Sequence, residues 1–515
     1  MSDSNPQPLH GAAQLEADRR AKRARLAEQF HIDPYGHRVD GLIHLADARA
    51  CYEKVADDAA KANPAEDRRP VVKVAGRVML HRDIGKLVFM TLRDAGGDIQ
   101  VAVSAKSVDD PTMQMAKMTD LGDIVYACGR LGTTKTGEIT IWAASAAEEP
   151  GFKVMGKSLA PPPEKWHGLS DPELRYRKRY VDLYTNPEVM KTFELRSRII
   201  KGVRDFLTSP PASIGQGFLE VETPMMQPIP GGAAARPFTT HHNALDMRLF
   251  MRIAPELYLK RLLVGGMGRV FEINRNFRNE GVDRSHNPEF TMLELYQAYG
   301  DLYSVMHLTE TLIHHLATAL CGADQLPYGE LTLNFSLPFR RAKYLDLFAE
   351  HAGFPASDHA KLIELARKMH VENPEKLDHD LLLNEVWEEI VEPHLVQPTF
   401  VIDYPGSLCP LTKRKPQEPQ IAERFELFAA NMELANAYTE LNDPDVQLAN
   451  FQQQLAGEDD EAATFRNLDM DFIEALKVGM PPAGGLGVGI DRLVMLLTNS
   501  RTIRDVILFP LMRHQ

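Results

Sequence analysis

The feature that most constrains this chain is a change of hydrophobic pattern along its length. From about Val71 to Trp142, turns containing Gly, Asp and Lys separate five short runs rich in β-branched and other apolar residues, which read VVKVAGRVML, KLVFMTLRD, DIQVAVS, DIVYACGRL and EITIWA. Runs of this length and composition are typical of β-strands. Five of them in succession favour a small Greek-key barrel.

A barrel of that strand number is consistent with an oligonucleotide-binding (OB) fold, whose outer face can stack bases on aromatic rings and hold phosphates. We predict this OB-fold barrel over residues 67–150, preceded by a helical extension over residues 1–66. The extension carries a basic run in an Ala/Leu-rich stretch, which fits either RNA contact or a solvated helical face. Its basic residues are Arg19, Arg20, Lys22, Arg23 and Arg25.

Three consecutive prolines, Pro161 to Pro163, follow the barrel and predict an extended linker over residues 151–172. A chain of 515 residues is too long for one ordinary core, so a second domain is expected. Residues 173–515 mix helical periodicity, as in PEVMKTFELRSRIIKGVRDFL, with strand-like runs such as RVFEINRNFR. We predict an α+β domain there, with a helical insertion near residues 345–390.

Composition narrows the class of protein. No apolar run approaches the roughly 20 residues of a membrane helix, and we expect a cytoplasmic protein that contacts no membrane. The four scattered cysteines lack Cys-x-x-Cys spacing, and the acidic loop GEDDEAA, starting at Gly457, is expected to be solvent-exposed without a role. A formal net charge of -13 argues against a general nucleic-acid coat, so any RNA partner must meet local basic surface.

The first candidate site is the segment FEINRNFRNEGVDRSHNPEFTMLELY, in which Arg278 and Glu280 are predicted to alternate on one face of a strand. A polar loop then leads to His286, Phe290 and Glu294. Arginine can hold phosphate or carboxylate groups through two donors, and an aromatic ring can stack on a purine. These residues predict a nucleotide site, although a hairpin with solvated charges explains the same residue types equally well.

Two later segments add further candidates. In AGGLGVGIDRLVMLL, glycines precede an apolar helical run and Arg492 falls in its first turn, but the missing Gly-Lys-Ser/Thr excludes a P-loop. In RFELFAANMELANAYTELND, the carboxylates of Glu426 and Glu433 are candidate Mg²⁺ ligands, since Mg²⁺ takes hard oxygen ligands and shares them with phosphates. Structural packing and a solvated acidic face are the alternative interpretations.

Taken together, these segments resemble the class II aminoacyl-tRNA synthetases. The Arg-x-Glu segment with its later Phe resembles the second signature motif of that family, GIDR resembles the third, and FLEVETPMM, with Thr223-Pro224, resembles the first. The resemblance implies a catalytic domain built on an antiparallel sheet with flanking helices, and it makes Arg278 and Arg492 catalytic. It implies ATP contacts to the phosphates and adenine from Arg278, Glu280, His286, Phe290, Glu426 and Arg492.

A further segment, GGAAARPFTTHHNALDMRLFMRIAPELYLKRLL, resembles the lysyl branch of the family. Aspartyl relatives typically carry Gln at the position of Glu256 and Arg at that of Glu440, and a carboxylate in those places attracts a lysine ammonium. The chain departs from the branch at Ala435 to Tyr438, where Gly-Asn-Gly-Phe is usual. The resemblance implies a lysine pocket formed by Gly232, Glu256, Glu294, Tyr296, Asn436, Tyr438 and Glu440.

The resemblance also implies the reaction and its partners. It implies a homodimer that activates L-lysine with ATP and Mg²⁺, releases pyrophosphate, and transfers lysine to the terminal adenosine of tRNA(Lys) for protein synthesis. Anticodon contacts would come from Arg77, Phe89, Gln100 and Glu138, for which ordinary barrel-edge residues are the alternative. An aspartyl or asparaginyl enzyme, or an RNA-binding protein that lost catalysis on the same fold, remains as a rival.

Overall fold

A computed structural model of the chain describes residues 11–145, 150–162, 169–233, 235–456 and 468–513. The chain divides into two compact units, Met1–Lys191 and Thr192–Gln515. Pro163 of the proline run and the acidic loop that starts at Gly457 lie outside the described residues. The predicted domain limits therefore stay predictions, and each unit is described by itself.

Within the described ranges, the first unit contains six helices of 6 to 19 residues and six strands. The helices are α1 (Ala12–Phe30), α2 (Leu45–Ala50), α3 (Lys54–Ala62), α4 (Asp110–Met118), α5 (Pro172–Arg177) and α6 (Arg179–Thr185), with a 3₁₀ turn at Pro64–Glu66. The strands are β1 (Val71–Asp83), β2 (Leu87–Asp94), β3 (Gly97–Ser104), β4 (Ile124–Thr133), β5 (Ile139–Ala143) and β6 (Phe152–Gly156). Helix α7 (Pro187–Thr208) crosses the division between the two units.

The six strands form one sheet in the order β1-β2-β3-β5-β4-β6, and β1 also pairs with β4. Each of the first five strands therefore pairs with two others of this set, as in a barrel. The predicted OB fold is confirmed. Alternate residues of β1, including Val72, Val74 and Val78, point inwards and are buried. The alternation of apolar residues that predicted the strands therefore also identifies the side chains that fill the barrel core.

Two features of this unit differ from the sequence analysis. Strand β6 lies in the stretch predicted as linker, because Phe152 and Val154 alternate into the barrel core and β6 pairs with β4. On α1, Arg19 is buried and donates hydrogen bonds to the carbonyl oxygens of Leu121 (3.0 Å) and Ser158 (2.9 Å). Arg19 therefore belongs neither to a solvated face nor to an RNA-binding surface.

In its described residues, the second unit contains three sheets and ten helices when α7 is included. The strands are β7 (Leu219–Glu220), β8 (Met226–Gln227), β9 (Thr239–His242), β10 (Met247–Met251), β11 (Arg269–Phe277), β12 (Glu289–Ala298), β13 (Gln325–Tyr328), β14 (Leu331–Asn334), β15 (Arg340–Lys343), β16 (Thr399–Pro405), β17 (Ile421–Ala429), β18 (Met432–Thr439) and β19 (Ala483–Gly489). The remaining helices are α8 (Glu256–Val264), α9 (Leu302–Leu316), α10 (Tyr344–Ala352), α11 (His359–Lys368), α12 (His379–Ile390), α13 (Pro444–Ala456), α14 (Met470–Gly479), α15 (Ile490–Leu497) and α16 (Ile503–Val506). Short helical turns lie at Ala317–Cys321, Glu392–His394 and Gly406–Leu408.

The central sheet has eight strands in the order β15-β16-β17-β18-β19-β12-β11-β7. It is antiparallel except at its two edges, where β15 pairs parallel with β16 and β7 with β11. Helices α10, α11 and α12 occupy the region of the predicted helical insertion and share a core in which Tyr344 stacks on Trp387. Among the described residues, the structure contains no helix with the length and apolar character needed to cross a membrane.

The two faces of the central sheet have different tasks. On β12, Leu293 and Leu295 pack into the main core beside residues of α9 such as Leu312, whereas Glu294 and Tyr296 line a cavity on the other face. Successive side chains of a strand point to opposite faces, so one strand can serve both. The same alternation operates along β18, and it positions the candidate site.

Candidate active site

A cavity of about 360 Å³ lies on the open face of the central sheet. It brings together every residue of the second domain that was predicted to bind ATP, lysine or Mg²⁺. These are Gly232, Glu256, Arg278, Glu280, His286, Phe290, Glu294, Tyr296, Glu426, Glu433, Asn436, Tyr438, Glu440 and Arg492. Residues separated by more than two hundred positions thus line one space, as a substrate site requires.

The predicted strand position of Arg278 and Glu280 was wrong. Strand β11 pairs with β12 only as far as Phe277 opposite Glu289, so Arg278 and Glu280 begin the loop instead. The backbone N–H of Arg278 still donates to the carbonyl oxygen of Pro288 at 2.9 Å, which fixes where the loop leaves the sheet. The end of the β11–β12 pair therefore fixes the position of Arg278.

Arg278 and Phe290 form the floor of the outer part of the cavity. The guanidinium carbon of Arg278 lies 5.2 Å from the centre of the Phe290 ring, within the range of a cation–π contact. Nε of Arg278 is buried and finds no acceptor among the described residues. A buried donor without a partner is costly, so this nitrogen is available to an anionic oxygen of a ligand.

Arg492 closes the other side of this outer part. It lies in the first turn of α15, as predicted, and its Nη1 donates to the carbonyl oxygen of Glu433 at 2.6 Å. Its Nη2 lies 2.9 Å from Nε2 of His286, whose Nδ1 lies 2.7 Å from Oδ2 of Asp283. The loop before β12 is therefore tied to α15 through side chains that face the cavity.

Glu426 and Glu433 bring acidic groups to the cavity wall. Glu426 accepts a hydrogen bond from the hydroxyl of Tyr404 at 2.8 Å and contacts the guanidinium of Arg424. Burial raises the pKa of Glu426, and the negative charge of Glu433 raises it further. Each carboxylate has an arginine partner, Arg424 for Glu426 and Arg492 for Glu433 at 3.6 Å, so a divalent ion here would share these oxygens with protein cations.

The metal donors are few. No group of three or more His, Cys, Asp or Glu residues in the described part of the chain is placed to hold a metal ion. Glu426 and Glu433 would supply only part of a coordination shell, with phosphate and water oxygens completing it. This division of ligands fits Mg²⁺ delivered with a nucleotide better than a closed structural site.

The inner end of the cavity is a buried cluster of carboxylates and phenols. The hydroxyl of Tyr438 donates to Oε1 of Glu256 at 2.9 Å, and the hydroxyl of Tyr296 donates to Oε2 of Glu294 at 3.4 Å. Burial raises the pKa of Glu294 to about 8, with a further contribution from the charge of Glu256. Glu440 is fully buried, and burial raises its pKa above the usual carboxyl range.

Two glycines make room for this cluster. A Cβ on Gly485 would lie 1.8 Å from Oε1 of Glu440 and 2.6 Å from Cε1 of Tyr296. Gly232 has a φ of +86°, and a Cβ there would lie 2.9 Å from that of Glu256. Any side chain at these positions would displace the carboxylates, so the glycine-rich segments shape the pocket.

Sequence reasoning missed two charged residues of the site. Lys260 contacts both Glu256 and Glu440, and its spacing of four residues from Glu256 on a helix was an available signal. Arg424 lines the cavity and its Nε donates to Oδ1 of Asn436 at 3.2 Å. Its place two residues before Glu426, on the same face of a strand, was the corresponding signal.

The four candidate anticodon residues occupy the barrel of the first unit. Phe89 is half-buried and meets Trp142 edge to face, with ring centres 6.3 Å apart. Each of the others has a partner inside this unit: Arg77 donates to the carbonyl oxygen of Gly122, Gln100 accepts from Thr140, and Glu138 pairs with Arg49. Phe89 is the one aromatic ring among the four, and the guanidinium carbon of Arg82 lies 5.3 Å from its centre.

Comparisons with known proteins agree with this geometry. Residues 171–513 match the family of class II tRNA synthetases (D, K and N), and residues 72–146 match the OB-fold nucleic acid binding domain. The chain is 50% identical to the lysine–tRNA ligase of Pelotomaculum thermopropionicum, over 96% of this chain and 94% of that protein.

Two further relatives extend the match along the chain. The lysine–tRNA ligase of Carboxydothermus hydrogenoformans is 48% identical over 94% of each chain. That of Escherichia coli is 45% identical over 100% of this chain and 99% of the relative. The chain therefore belongs to the class II aminoacyl-tRNA synthetases, in the lysine–tRNA ligase family.

Proposed function

We propose that this protein attaches lysine to tRNA(Lys) at the expense of ATP, in two steps on one active site. The observation that carries the proposal is the joining, in one cavity, of a buried carboxylate cluster with an Arg–Phe pair suited to a nucleotide. The first group selects a cationic side chain and the second holds ATP. Lysine and the α-phosphate would thereby be held side by side.

In the first step, a carboxylate oxygen of lysine attacks the α-phosphorus of ATP. A new O–P bond forms, the bond to the β-phosphate oxygen breaks, and pyrophosphate leaves. Arg278 would hold the α-phosphate through its unpartnered Nε, and Arg492 would hold the γ-phosphate. Fixed cations placed where charge develops stabilise such a transition state, and binding both reactants supplies orientation.

The nucleotide base and the metal occupy the same outer part of the cavity. Phe290 would stack under adenine, Glu280 would accept from its amino group, and His286 would lie near the phosphates beside Arg492. Glu426 and Glu433 would hold Mg²⁺, which neutralises phosphate charge when bound.

The inner end would hold lysine itself. Oε1 of Glu440 is buried without a hydrogen-bond donor among the described residues, so it can accept the ε-ammonium. Tyr296 and Glu294 would support that end, while Gly232, Glu256 and Asn436 would position the remainder and Tyr438 would form the wall. An aspartate side chain would meet repulsion here, which favours lysine over the acidic substrates of related enzymes.

In the second step, a ribose hydroxyl of the terminal adenosine of tRNA attacks the carbonyl carbon of lysyl-adenylate and releases AMP. We assign no general base, and the protein supplies orientation and electrostatics. The barrel would bind the anticodon, with Phe89 stacking on a base and Arg77, Gln100 and Glu138 around it.

We also place a homodimer and a cytoplasmic location in this proposal. The first class II motif leaves apolar side chains exposed on the second unit, namely those of Leu219, Met225 and Met226. Such a patch suits an interface between two copies. The four cysteines are free, which suits a reducing compartment.

The activity is tested by lysine-dependent exchange of pyrophosphate with ATP in the presence of Mg²⁺. We expect exchange with lysine and none with aspartate or asparagine; ornithine measures how closely the pocket fits the side-chain length. Absence of exchange with every amino acid would favour an RNA-binding protein that has lost catalysis. Exchange with asparagine or aspartate instead would favour the neighbouring branches.

The role of the barrel is tested with Phe89→Ala. Base–aromatic stacking contributes about 1–3 kcal/mol, so we expect about a five- to hundredfold loss in kcat/KM for tRNA charging. Lysine-dependent pyrophosphate exchange should be unchanged, because it needs no tRNA. An equal loss of both activities would contradict the separation of tasks between the two units.

A further inference from the structure

A lysine of the protein itself is buried against the amino-acid pocket. Lys260 lies on α8 with none of its side chain exposed, and its Nζ lies 2.6 Å from Oε1 of Glu256 and 2.5 Å from Oε2 of Glu440. Both carboxylates line the cavity, whereas Lys260 contacts them without being part of the lining. The chain thus places its own ammonium next to the site proposed for the substrate ammonium.

The two oxygens of Glu440 have different surroundings. Oε2 meets Lys260, whereas Oε1 lies where a Cβ of Gly485 would fall, only 1.8 Å away, beside the ring of Tyr296. Lys260 therefore holds Glu440 from one side, while the other oxygen lies beside Gly485 and Tyr296, two residues of the cavity lining, without a hydrogen-bond donor among the described residues. A carboxylate fixed in this way is preorganised to accept a second cation.

Charge counting shows why a built-in cation is needed. Glu256, Glu294 and Glu440 bring three carboxylates into one buried space, while a substrate side chain brings a single ammonium. Closely spaced buried carboxylates hold protons in place of charge unless a cation neutralises them. A protonated Glu440 would be a poor partner for the lysine ε-ammonium.

We propose that Lys260 is a positioning residue of the amino-acid pocket, whose ammonium orients Glu256 and Glu440 and favours the ionised form of Glu440, so that Glu440 can bind a substrate with one side-chain positive charge. This proposal rests on the proposed lysine activation. Lys260 touches neither lysine nor ATP in it, and acts through the two carboxylates.

The charged and titratable groups around Glu440 support this role. From α8 it faces Lys260 and Glu256, from β12 Tyr296 and Glu294, and from β18 Tyr438. Among these, Lys260 is the cation that lowers the pKa of Glu440, against burial and the charge of Glu256, which raise it. In return, the two carboxylates raise the pKa of Lys260 and keep its ammonium charged.

The test compares Lys260→Met with Lys260→Arg in the full-length enzyme. Methionine keeps an unbranched apolar side chain, one atom shorter than that of lysine, and removes the charge, whereas arginine keeps the charge. The measurement is KM for lysine and for ATP in pyrophosphate exchange, from pH 6 to pH 9. Tyr438→Phe is the matched control, because it removes a hydrogen bond to Glu256 without changing the charge of the pocket.

For Lys260→Met we expect KM for lysine at pH 7 to rise by about tenfold or more, since each unit by which a carboxyl pKa rises above the pH costs a factor of about ten. Raising the pH should restore much of this loss, so that the pH profile of KM has its midpoint at least about one pH unit above that of the wild type. KM for ATP should be unchanged. Lys260→Arg should keep the wild-type midpoint, as should Tyr438→Phe.

A loss of the same size at every pH in Lys260→Met would show a purely structural role and overturn the proposal. If that variant does not fold, Lys260→Arg still decides: an unshifted midpoint supports the charge, and a midpoint shifted upwards overturns it. Failure of the wild-type enzyme to exchange with lysine would instead remove the proposed function.

Discussion

The two ends of the cavity differ in how far their charged side chains are buried. At the inner end, Glu256 and Glu440 are only 3% and 0% exposed, and their partners are fixed by helices and strands. At the outer end, Glu280 and His286 are exposed and belong to a loop. The inner end is assembled before a substrate arrives, whereas the outer end meets its ligand in the presence of water.

This difference in burial between the two ends indicates which end can supply selectivity and which can supply catalysis. Charges in a buried site interact strongly with a substrate and tolerate the wrong charge poorly, so the inner end suits discrimination between amino acids. Exposed charges are screened by salt and water, so the outer end depends more on how many groups converge on the phosphates. Single substitutions at each end of the cavity can test this division.

Removing Arg278 should have the largest effect, because it deletes a cation aimed at the reacting phosphate. For Arg278→Ala we expect kcat of lysine-dependent exchange to fall by about 10²–10³ or more. Arg275→Ala is the matched control: Arg275 lies on β11, three residues before Arg278, and is 43% exposed beside Glu289, so this variant should retain its activity. Unchanged exchange in a folded Arg278→Ala protein would remove this arginine from the mechanism.

Replacing Glu440 should affect the inner end alone. Breaking one partner of a buried charge pair costs about 2–5 kcal/mol, so Glu440→Gln should raise KM for lysine by about a hundredfold. KM for ATP should stay within about twofold, because the charge change is confined to the inner end. Initial rates over both substrates measure this, and an equal rise in both KM values would break the comparison.

Lysine binding should strengthen as pH rises from about 6 to 8. Burial raises the pKa of Glu294 to about 8, so Glu294 carries a proton at pH 6 and is ionised above pH 8. The substrate ammonium favours the ionised form, so binding releases a proton and gains up to about tenfold per pH unit below that pKa. Calorimetry in buffers of different ionisation enthalpy counts the protons released, and Glu294→Gln should remove the share that Glu294 contributes.

The smallest effect should come from the Tyr438 hydroxyl. Tyr438→Phe removes one hydrogen bond to Glu256, worth about 0.5–1.5 kcal/mol, while Lys260 still holds the carboxylate. We expect KM for lysine to rise by about two- to tenfold with kcat unchanged. A larger loss would mean that the hydroxyl, and not the ion pair, fixes Glu256.

Some of this site can be predicted from the sequence for a clear physical reason. Glu294 lies between Leu293 and Leu295, and the period of a strand forces such neighbours onto opposite faces. The glycine-rich segment that contains Gly485 likewise predicts a place where the backbone lies close to another group, because glycine has no side chain. In both cases the information is local, so residue order alone carries it.

Other features depend on partners that are distant in the sequence. Lys260 meets Glu440 across 180 positions, and Arg19 meets the carbonyl oxygen of Ser158 across 139. Spacing predicts neither contact, because tertiary packing decides them. The end of β11 at Phe277 was missed for a related reason: strand ends are set by pairing with β12, and the pattern of side chains alone does not fix where the pairing stops.

The alternation of side chains along β12 also limits which insertions and deletions this strand can accept. Insertion or deletion of a single residue within β12, between Glu289 and Glu294, would turn the Glu294 carboxylate into the hydrophobic core and bring a leucine into the amino-acid pocket. Point substitutions on one face can be tolerated separately from those on the other, but a shift of register damages folding and chemistry together. Length variation in this part of the family should therefore be confined to the loop between β11 and β12.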